Sequence, residues 1–372
     1  MKKFLAVLVA AVMAMSLVAC GNSETSSDAG SLKVAMITDY GDITDESFNQ
    51  ATYEGAKEWC EANSAEFTYY KPAGDSTAER VAMIEKAIED GYNTILMPGY
   101  AFGEAIAETA GDNPTVKFIA LDVSAGDLGD GYEMPDNLYC AVYAEEIAGF
   151  LAGYAAVQLG YTKLGFLGGM AVPAVVRYGY GFVQGAEFAS SIGEGKEVEI
   201  KYAYGNQFYG DADITAAMDT WYAAGTELVF ACGGGIYTSA AEAAAKVGGK
   251  VIGVDVDQAP TIDAAYGEGM TVTSAMKGLA ATVKSALSDL AAGNWANYGG
   301  KVATLGLVSG TDVTANFVQI PYETTQWGDG FTQEDYVAIV GQIFDGTITV
   351  SNSTETEPTV NHVAVDYQGN IK

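Results

Sequence analysis

The chain has 372 residues, with 18 lysines and arginines against 48 aspartates and glutamates, and it carries a formal net charge of −30. A surface this acidic repels phosphate groups, so we expect neither a nucleic acid nor a nucleotide phosphate as a partner. A single histidine, His362 near the C-terminus, excludes a histidine-dependent catalytic triad and a multi-histidine metal site, and we expect it at the surface.

The N-terminus has the pattern of a secretory signal followed by a lipoprotein processing site. Lys2 and Lys3 precede an uncharged, largely apolar run at 4–18, and Ala19 and Cys20 follow it. This run of about 15 residues is shorter than the roughly 20 that a membrane-spanning helix needs. We therefore predict a signal peptide at 1–19 and a lipidated Cys20, which tethers the mature chain to a membrane without crossing it. A retained anchor helix is the alternative.

The next segment, 20–31, is predicted to be a flexible linker because its glycine, serine, asparagine, threonine and acidic residues cannot bury apolar surface. The folded body therefore begins near Leu32. It has about 340 residues, which is too many for one ordinary hydrophobic core and enough for two lobes.

From residue 32 onward, short apolar runs rich in β-branched and aromatic residues alternate with longer alanine-rich segments of helical period. This alternation predicts an α/β fold of parallel strands joined by helical crossovers. The predicted strands lie at 33–38, 66–71, 94–98, 117–122, 138–142, 163–168, 197–204, 228–231, 251–256 and 271–274. The predicted helices lie at 46–63, 76–89, 144–159, 181–192, 212–224, 238–247 and 276–292.

The order of these elements indicates how the chain divides between the two lobes. A late strand and helix at 271–294 follow an apparently complete second sheet, and 301–322 has the pattern of further strand. We expect the chain to cross between the lobes about three times. The predicted first lobe comprises 32–141 and 273–300, and the predicted second lobe comprises 142–272 and 301–372.

Polar or glycine-rich turns follow several predicted strands and lead into helices. In open parallel sheets, ligands bind just beyond the carboxyl ends of the strands. We therefore expect the functional site at the turns at 38–41, 97–100, 121–124, 232–235 and 253–258.

No motif in the chain predicts a cofactor or a metal. Gly179, Gly181 and Gly185 are spaced one residue too wide for the dinucleotide fingerprint, and the glycines at 233–235 lack the Gly-Lys-Ser/Thr of a phosphate loop. The remaining cysteines show no CxxC spacing, so neither a zinc site nor a disulfide framework is indicated. Buried free thiols are favoured over a single disulfide for Cys60, Cys140 and Cys232.

The segment 39–50 after the first strand is the richest in candidate binding groups. Asp45 can cap the following helix, Phe48 would project toward a cleft, and Asn49 offers an amide donor and acceptor. The alternative is that Asp45 is only a cap and Phe48 only a core residue. A second candidate is the carboxylate pair Asp255 and Asp257, which can either perform acid/base chemistry or accept hydroxyl groups of a sugar.

Segment 39–50 resembles the Asp-x-Gly-x-x-x-Asp-x-Ser-Phe-Asn-Gln signature of the basic membrane protein family of ABC-transporter substrate-binding lipoproteins, which includes bacterial purine nucleoside receptors. The Gly-Val-Asp-x-Asp-Gln segment at 253–258 and the lipoprotein site strengthen the resemblance, which runs along nearly the whole chain. It implies a type I periplasmic-binding-protein fold, with two Rossmann-like lobes joined by a hinge, and a nucleoside, of purine type, bound between the lobes.

The resemblance also implies roles for individual residues. Phe48 resembles one ring that stacks on the base, and Asp122 resembles the strand-end acid near the base. Lys277 and Asp255, or Asp257 in its place, resemble the pair that binds the ribose. With the backbone approach at Gly234 and the strand-end groups of the first lobe, the predicted ligand-binding residues are Asp39, Phe48, Asn49, Asp122, Phe208, Tyr209, Gly234, Asp255, Asp257 and Lys277.

Two positions leave alternatives open. The family commonly has Gly-Ser-Phe where this chain has Gly-Asn-Gln-Phe-Tyr at 205–209, so the second stacking ring is either Phe208 or Tyr209. A tyrosine would add a hydrogen-bonding hydroxyl group. Arg177 is either a cleft residue or the partner of a surface acid.

The implied function is that of a transport receptor. A monomer binds its ligand in the open cleft, the lobes close, and an ABC permease with a cytoplasmic ATPase recognises the closed form. Alternatives within the binding class are a sugar, a free base or a signalling molecule as ligand, and a sensory role in place of transport. An exported nucleoside hydrolase that uses Asp255 and Asp257 is the alternative from another class.

Overall fold

The computed structural model describes residues 32–192 and 197–372. The predicted signal peptide, Cys20 and the linker lie outside the described residues. The strands are β1 Lys33–Ile37, β2 Glu66–Tyr70, β3 Thr94–Pro98, β4 Lys117–Leu121, β5 Leu138–Tyr143, β6 Lys163–Gly168, β7 Val198–Tyr204, β8 Leu228–Cys232, β9 Lys250–Asp255, β10 Thr271–Lys277, β11 Lys301–Leu305, β12 Val318–Gln319 and β13 Val363–Asn370. The helices are α1 Phe48–Asn63, α2 Thr77–Glu89, α3 Gly103–Thr109, α4 Glu145–Gln158, α5 Pro173–Ile192, α6 Ala212–Ala223, α7 Tyr237–Ala245, α8 Ala259–Tyr266, α9 Leu279–Ala291 and α10 Gln333–Phe344.

The first lobe is built on a parallel sheet with strand order β11-β5-β4-β3-β1-β2. Successive residues of its strands point to opposite faces, so Met36 and Leu96 pack with α1 and α9, whereas Ile37 and Ile95 pack with α2 and α3. Both faces are covered by helices, as a parallel sheet requires. The apolar runs of the sequence are therefore explained by burial on both sides.

The second lobe contains a seven-stranded sheet with order β12-β10-β9-β8-β6-β7-β13. Every pairing in it is parallel except that of the short edge strand β12 with β10. Phe166 and Phe230 face helices α4 and α5, and Trp221 of α6 packs on the opposite face. The two sheets and their helical layers confirm the predicted α/β fold.

Three crossovers connect the lobes and lie side by side. The first is at Ala144, between β5 and α4; the second is at Gly278, between β10 and α9; the third, 306–317, joins β11 to β12. Ala144 N donates to Leu305 O at 2.9 Å, and Gly278 N donates to Phe317 O at 2.7 Å. The crossovers thus form a hydrogen-bonded hinge.

The strand pairing differs from the predicted lobe boundaries at two places. Residues 276–277, expected to begin a helix, are the end of β10, which pairs with β9 in the second sheet instead of entering the first lobe at 273. Strand β11 pairs with β5 in the first sheet, although 301 onward was assigned to the second lobe. The reason is that both strands lie next to the hinge, where the sequence pattern does not specify which sheet edge a strand joins.

Other elements were absent from the prediction. They are strand β13 and helices α3, α8 and α10. Helix α10 does carry a sequence signal, because Thr332 and Asp335 form a reciprocal capping box at its start. No helix among residues 32–192 and 197–372 is long and apolar enough to cross a membrane.

The cysteines and the histidine lie where the sequence suggested. Cys60, Cys140 and Cys232 are buried free thiols. His362 is exposed, with its Nδ1 2.6 Å from Glu187 Oε1. Both predictions are therefore confirmed.

Helices α4 and α5 pack closely because each presents glycines to the backbone of the other. A Cβ atom on Gly153 would lie 2.1 Å from Phe182 O, and one on Gly185 would lie 2.0 Å from Phe150 O. These distances are far below van der Waals contact. Gly185, which the sequence analysis excluded from a dinucleotide motif, thus has a packing role.

We predict that Gly185→Ala destabilises the protein, because the added methyl group forces the two helices apart. Overpacking of this kind costs about 1 to 3 kcal/mol. A lower melting temperature by circular dichroism is the expected result. Gly111→Ala is the matched control, since nothing lies within 4 Å of a Cβ atom there. Equal melting temperatures for the two variants would contradict the packing role of Gly185.

Candidate ligand-binding site between the lobes

A cavity of about 770 Å³ opens between the two lobes, at the carboxyl ends of their parallel strands. Small-molecule sites typically have volumes of roughly 300 to 1,000 Å³. The turns after β1, β3 and β4 form its wall in the first lobe, and those after β6, β7, β8 and β9 form it in the second. The five strand-end turns identified in the sequence therefore meet around one cavity.

Most of the predicted ligand-binding residues line this cavity. They are Asp39, Phe48, Asn49, Asp122, Phe208, Tyr209, Gly234, Asp255 and Lys277. Asp257 does not line it, because its carboxylate accepts hydrogen bonds from Ala259 N at 3.1 Å and Thr324 Oγ1 at 2.8 Å. Asp257 thus holds the start of α8 and a neighbouring loop of the second lobe. A ligand contact by the cavity-lining residues stays a prediction.

Lys277, the last residue of β10, is buried where the cavity meets the hinge. Its Nζ lies 2.5 Å from Asp122 Oδ2, 3.5 Å from Glu145 Oε1 and 3.6 Å from Asp255 Oδ1. Asp122 follows a strand of the first sheet, whereas Asp255 ends a strand of the second, so one ammonium group joins the two lobes. Burial disfavours the charged form of Lys277, but the three carboxylates outweigh it and raise the pKa of Lys277.

Glu145 begins helix α4 directly after the first crossover and is completely buried. Its Oε2 accepts a hydrogen bond from Arg177 Nε at 2.7 Å, while its Oε1 faces Lys277. Burial is the main cause that raises the pKa of Glu145, and Lys277 and Arg177 oppose it. Arg177 is therefore a cavity-lining residue paired with a buried acid. Glu145 was not among the residues predicted from the sequence, although an acid at the start of a helix directly after a strand is a usable signal.

Asp122 and Asp255 share a rare backbone conformation, with φ of 59° and 66° in the left-handed region. Aspartate tolerates this region better than most residues do, yet the conformation still costs on the order of 1 kcal/mol. Residues in such strained conformations cluster at functional sites. Ser47 Oγ, from the first lobe, donates to Asp255 Oδ2 at 2.6 Å. Burial raises the pKa of Asp255, whereas Lys277 and Ser47 oppose the rise.

Aromatic rings from both lobes reach the cavity. Phe48, in the first turn of α1, lies with its ring centroid 4.7 Å from Lys277 Nζ, which is a cation–π contact. Phe208 lies nearly parallel to Tyr40 of the opposite lobe, with ring centroids 6.2 Å apart and planes at 27°. Tyr209 is 63% exposed. Of the two alternatives for the second ring, Phe208 is thus the enclosed one.

Glycines hold the Phe208 ring in place. A Cβ atom on Gly169 would lie 2.4 Å from Phe208 Cδ1, and one on Gly233 would lie 2.9 Å from the same atom. Gly234 has φ +51° and approaches the Phe208 carbonyl oxygen. The absence of side chains at these positions lets the ring lie against the backbone of two turns.

Several buried polar atoms around the cavity have no hydrogen-bond partner among the described residues. They include Asp122 Oδ1, Asn49 Oδ1 and the Tyr178 hydroxyl group. Leaving a buried polar atom unpaired costs roughly 1 to 3 kcal/mol. These atoms are therefore available to a ligand that carries hydroxyl or amine groups.

Asp39, at the end of β1, is buried in the cavity wall. Its Oδ1 accepts hydrogen bonds from Gly41 N at 2.6 Å and Asn49 Nδ2 at 3.3 Å. Burial raises the pKa of Asp39 to about 6, and these two donors oppose the rise. Asp39 is therefore a group of this wall that titrates near neutral pH.

The charge of the cavity wall restricts the ligand. Seven aspartates line it against three cations, which are Lys71, Arg177 and Lys277. Phosphate groups would be repelled, whereas a neutral or cationic ligand would not. No cluster of three or more His, Cys, Asp or Glu residues suited to a metal ion occurs within 32–192 and 197–372.

Comparison with known proteins gives the family. The model of the family Bmp, described as ABC transporter substrate-binding protein PnrA-like, matches residues 32–316. The chain belongs to this family. The resemblance that the sequence analysis named is thereby confirmed.

Relatives agree with this membership, and a solved structure shows the same fold. The ABC transporter nucleoside-binding protein BmpA of Lactococcus lactis is 29% identical over 69% of this chain and 74% of its own length. Basic membrane protein B of Borreliella burgdorferi is 27% identical over 78% of this chain and 83% of its own. An ABC transporter solute-binding protein from Aeropyrum pernix has the same fold, with a TM-score of 0.66 at 21% identity, covering 86% of this chain and 87% of its own. The predicted type I fold is thus confirmed.

We predict that Lys277→Met strongly destabilises this Bmp-family protein, because it leaves Asp122, Glu145 and Asp255 buried without their shared cation. Breaking a buried ion pair costs about 3 to 5 kcal/mol. The loss measured by urea unfolding should be larger at pH 8 than at pH 5. The reason is that the pKa of Glu145 and of Asp255 is already raised by burial, so stability falls as pH rises and these carboxylates ionise.

Lys246→Met is the matched control for this experiment. Lys246 pairs with Asp219 at 2.9 Å, but both side chains are well exposed. Exposed pairs contribute about 0 to 1 kcal/mol. Similar losses in the two variants, or a loss in Lys277→Met that does not depend on pH, would contradict the role of Lys277.

We predict that Asp39→Asn stabilises the ligand-free protein above pH 6 and has little effect near pH 4. The folded-state pKa of Asp39 is raised from 3.8 to about 6, so its ionisation destabilises the folded protein as pH rises through this interval. The rise corresponds to up to about 3 kcal/mol. Melting temperatures of both proteins from pH 4 to pH 8 measure the effect. The exposed Asp112→Asn controls for the loss of one charge, and a difference that stays constant with pH would refute the prediction.

Proposed function

We propose that this ABC-transporter substrate-binding protein captures a nucleoside, of purine type, in the cavity between its lobes. The arrangement that carries the proposal is the pair Asp122 and Asp255, one from each lobe, on either side of Lys277 and beside aromatic rings. A nucleoside is a flat base joined to a hydroxylated sugar, and this wall offers a surface for each part.

The sugar end of the ligand suits the charged cluster. Carboxylates accept vicinal hydroxyl groups in charge-assisted hydrogen bonds, and an ammonium group donates to a ring or hydroxyl oxygen. Asp122 Oδ1 and the Tyr178 hydroxyl group are buried without a partner among the described residues. A ribose would supply such partners without adding a charge to the acidic wall.

The base end of the ligand suits the rings. Stacking of a base on an aromatic side chain contributes about 1 to 3 kcal/mol. Tyr40 and Phe208 reach the cavity from opposite lobes, and Phe48 lies beside Lys277. The description of the Lactococcus relative as nucleoside-binding supports the same ligand class.

Contacts between the lobes suggest how binding is coupled to transport. Ser47 donates to Asp255, Gln258 Nε2 donates to Glu46 O at 2.9 Å, and Thr261 Oγ1 lies 3.1 Å from Glu46 Oε2. A ligand that touches both lobes favours this closed arrangement over an open one. The closed monomer is then recognised by an ABC permease with a cytoplasmic ATPase.

We further propose that the chain is exported and held at the outer face of the cytoplasmic membrane through lipidated Cys20. Substrate-binding proteins of ABC importers act outside the cytoplasm. The signal sequence and its processing site provide the export route and the anchor. The linker predicted from the sequence at 20–31 would let the lobes reach the permease.

An exported hydrolase that uses Asp255 and Asp257 has little support. Asp257 is engaged by Thr324 and Ala259, and Asp255 is held by Ser47 and Lys277. Two carboxylates acting as acid and base must both reach the substrate. Asp257 does not line the cavity.

The proposal predicts that a purine nucleoside raises the melting temperature of the purified protein. Binding stabilises by about 2.7 kcal/mol when the ligand is at one hundred times its dissociation constant. A panel of adenosine, guanosine, inosine, uridine and ribose should give its largest shift with a purine nucleoside. No shift with any nucleoside, or a larger shift with ribose alone, would sink the proposal.

A pair of variants tests the site itself. Asp255→Asn should weaken nucleoside binding at least about tenfold in calorimetric titration, because it replaces an acceptor of two hydroxyl groups. Asp257→Asn should bind the nucleoside as tightly as the unmodified protein does. If Asp257→Asn lost affinity and Asp255→Asn kept it, Asp257 would be the ligand-binding residue in place of Asp255. Mass spectrometry after denaturation should recover the nucleoside intact, whereas free base would establish a hydrolase.

A further inference from the structure

Glu145 contacts two cations of the cavity wall without lining the cavity itself. Its carboxylate is completely buried at the first residue of α4, directly after the first crossover. Lys277 and Arg177, by contrast, both line the cavity. Any effect of Glu145 on a ligand must therefore pass through these two side chains.

Each oxygen of the Glu145 carboxylate faces a different cation. Oε2 accepts a hydrogen bond from Arg177 Nε at 2.7 Å, and Oε1 lies 3.5 Å from Lys277 Nζ. A buried carboxylate is tolerated only where positive charge offsets its lost hydration, and the N-terminus of α4 adds to that offset. Glu145 in turn keeps close together two cations that would otherwise repel each other.

The ammonium group of Lys277 makes one short contact with a carboxylate. Its Nζ lies 2.5 Å from Asp122 Oδ2, whereas the 3.5 Å to Glu145 Oε1 and the 3.6 Å to Asp255 Oδ1 are longer than a normal hydrogen bond. Glu145 Oε1 accordingly has no hydrogen-bond partner among the described residues. Because an ammonium group has three N–H donors, Lys277 keeps donors for a ligand.

The charge of Glu145 opposes a closer approach between Lys277 and Asp255. The carboxylates of Glu145 and Asp255 lie at nearly equal distances from Nζ, so they attract the ammonium group with similar strength. Without the charge of Glu145, the ammonium group would move toward Asp255 and bond to its Oδ1. Asp255 Oδ2 already accepts a hydrogen bond from Ser47 at 2.6 Å. Both oxygens of Asp255 would then be engaged, and Lys277 would have one donor fewer.

We propose that Glu145 is a positioning residue of the ligand site, which holds Lys277 away from Asp255 so that both groups can bind the hydroxyl groups of the sugar. The inference rests on the proposed function and deepens it. If Glu145 only neutralised Lys277, its loss would change the stability of the protein. In a positioning role, its loss also changes which sugars bind.

The experiment compares Glu145→Gln with the unmodified protein, using the purine nucleoside that raises the melting temperature most and its 2′,3′-dideoxy analogue. The analogue has the same base but lacks both vicinal hydroxyl groups. In calorimetric titration the unmodified protein should bind the nucleoside at least about tenfold more tightly, because one hydrogen bond to a charged group contributes roughly that factor. In Glu145→Gln this ratio should fall to about threefold or less, because the nucleoside alone binds more weakly.

Two further variants complete the experiment. Glu146→Gln is the matched control, because Glu146 is the next residue of α4, is also buried and does not line the cavity. It should keep the ratio of the unmodified protein. Glu145→Asp keeps the charge but shortens the side chain by one methylene group, so its carboxylate cannot face both cations at the present distances. Its ratio should also fall, by at least about threefold, and it decides the test if Glu145→Gln does not fold.

A loss of stability is distinguishable from a loss of positioning. Partial unfolding lowers the fraction of protein that binds, which calorimetry records as a lower stoichiometry, and it affects the two ligands equally. An unchanged ratio in Glu145→Gln, or equal weakening of both ligands, would refute the role of Glu145. A fall of the ratio in Glu146→Gln as large as that in Glu145→Gln would refute it as well. In each case the proposed function stands.

Two results with the unmodified protein keep the proposals apart. If it binds the nucleoside and the dideoxy analogue equally well, the charged cluster does not bind the sugar, and the role of Glu145 is refuted although nucleoside binding stands. If it binds no nucleoside, both proposals fail.

Discussion

The ammonium group of Lys277 is the interaction on which the cleft depends. It lies among Asp122, Glu145 and Asp255, which come from both lobes and are all largely removed from water. Three buried carboxylates could not stay together without a cation, because each loses its hydration and repels the others. Arg177 adds a second positive charge on the far side of Glu145. The contacts of Asp122 and Asp255 with Lys277 help to hold both residues in their left-handed backbone conformation.

This cluster places the buried charged groups of the cavity wall at its hinge end. The acids lie at strand ends and at the first residue of α4, and Lys277 lies one residue before a crossover. Because Asp122 and Asp255 come from different lobes, the distance between their carboxylates depends on the angle between the lobes. The aromatic rings provide a flat, uncharged surface on the other part of the wall. Under the proposed function, the acidic wall would disfavour anionic ligands and the rings would favour a flat one.

Much of this architecture could be predicted from the sequence, because it depends on local patterns. Buried parallel strands produce apolar runs, and polar turns such as that at Asp39 mark their ends, so the fold and the region of the site followed from periodicity. The position of β10 and β11 did not follow, since it depends on which sheet edge the hinge presents. The contact between Glu145 and Lys277 joins residues that are distant in sequence, and Asp257 is distinguished from Asp255 only by the course of one loop. Such features arise from tertiary packing, which no local pattern records.

The three hydrogen-bonded crossovers also restrict the relative motion of the lobes. A single connecting strand would permit twisting and sliding, but three that are bonded side by side through Ala144, Leu305, Gly278 and Phe317 leave bending as the easy movement. The two lobes should therefore open and close by the same bending movement each time. Under the proposed function, the closed lobes would then present the same surface to the permease in every transport cycle.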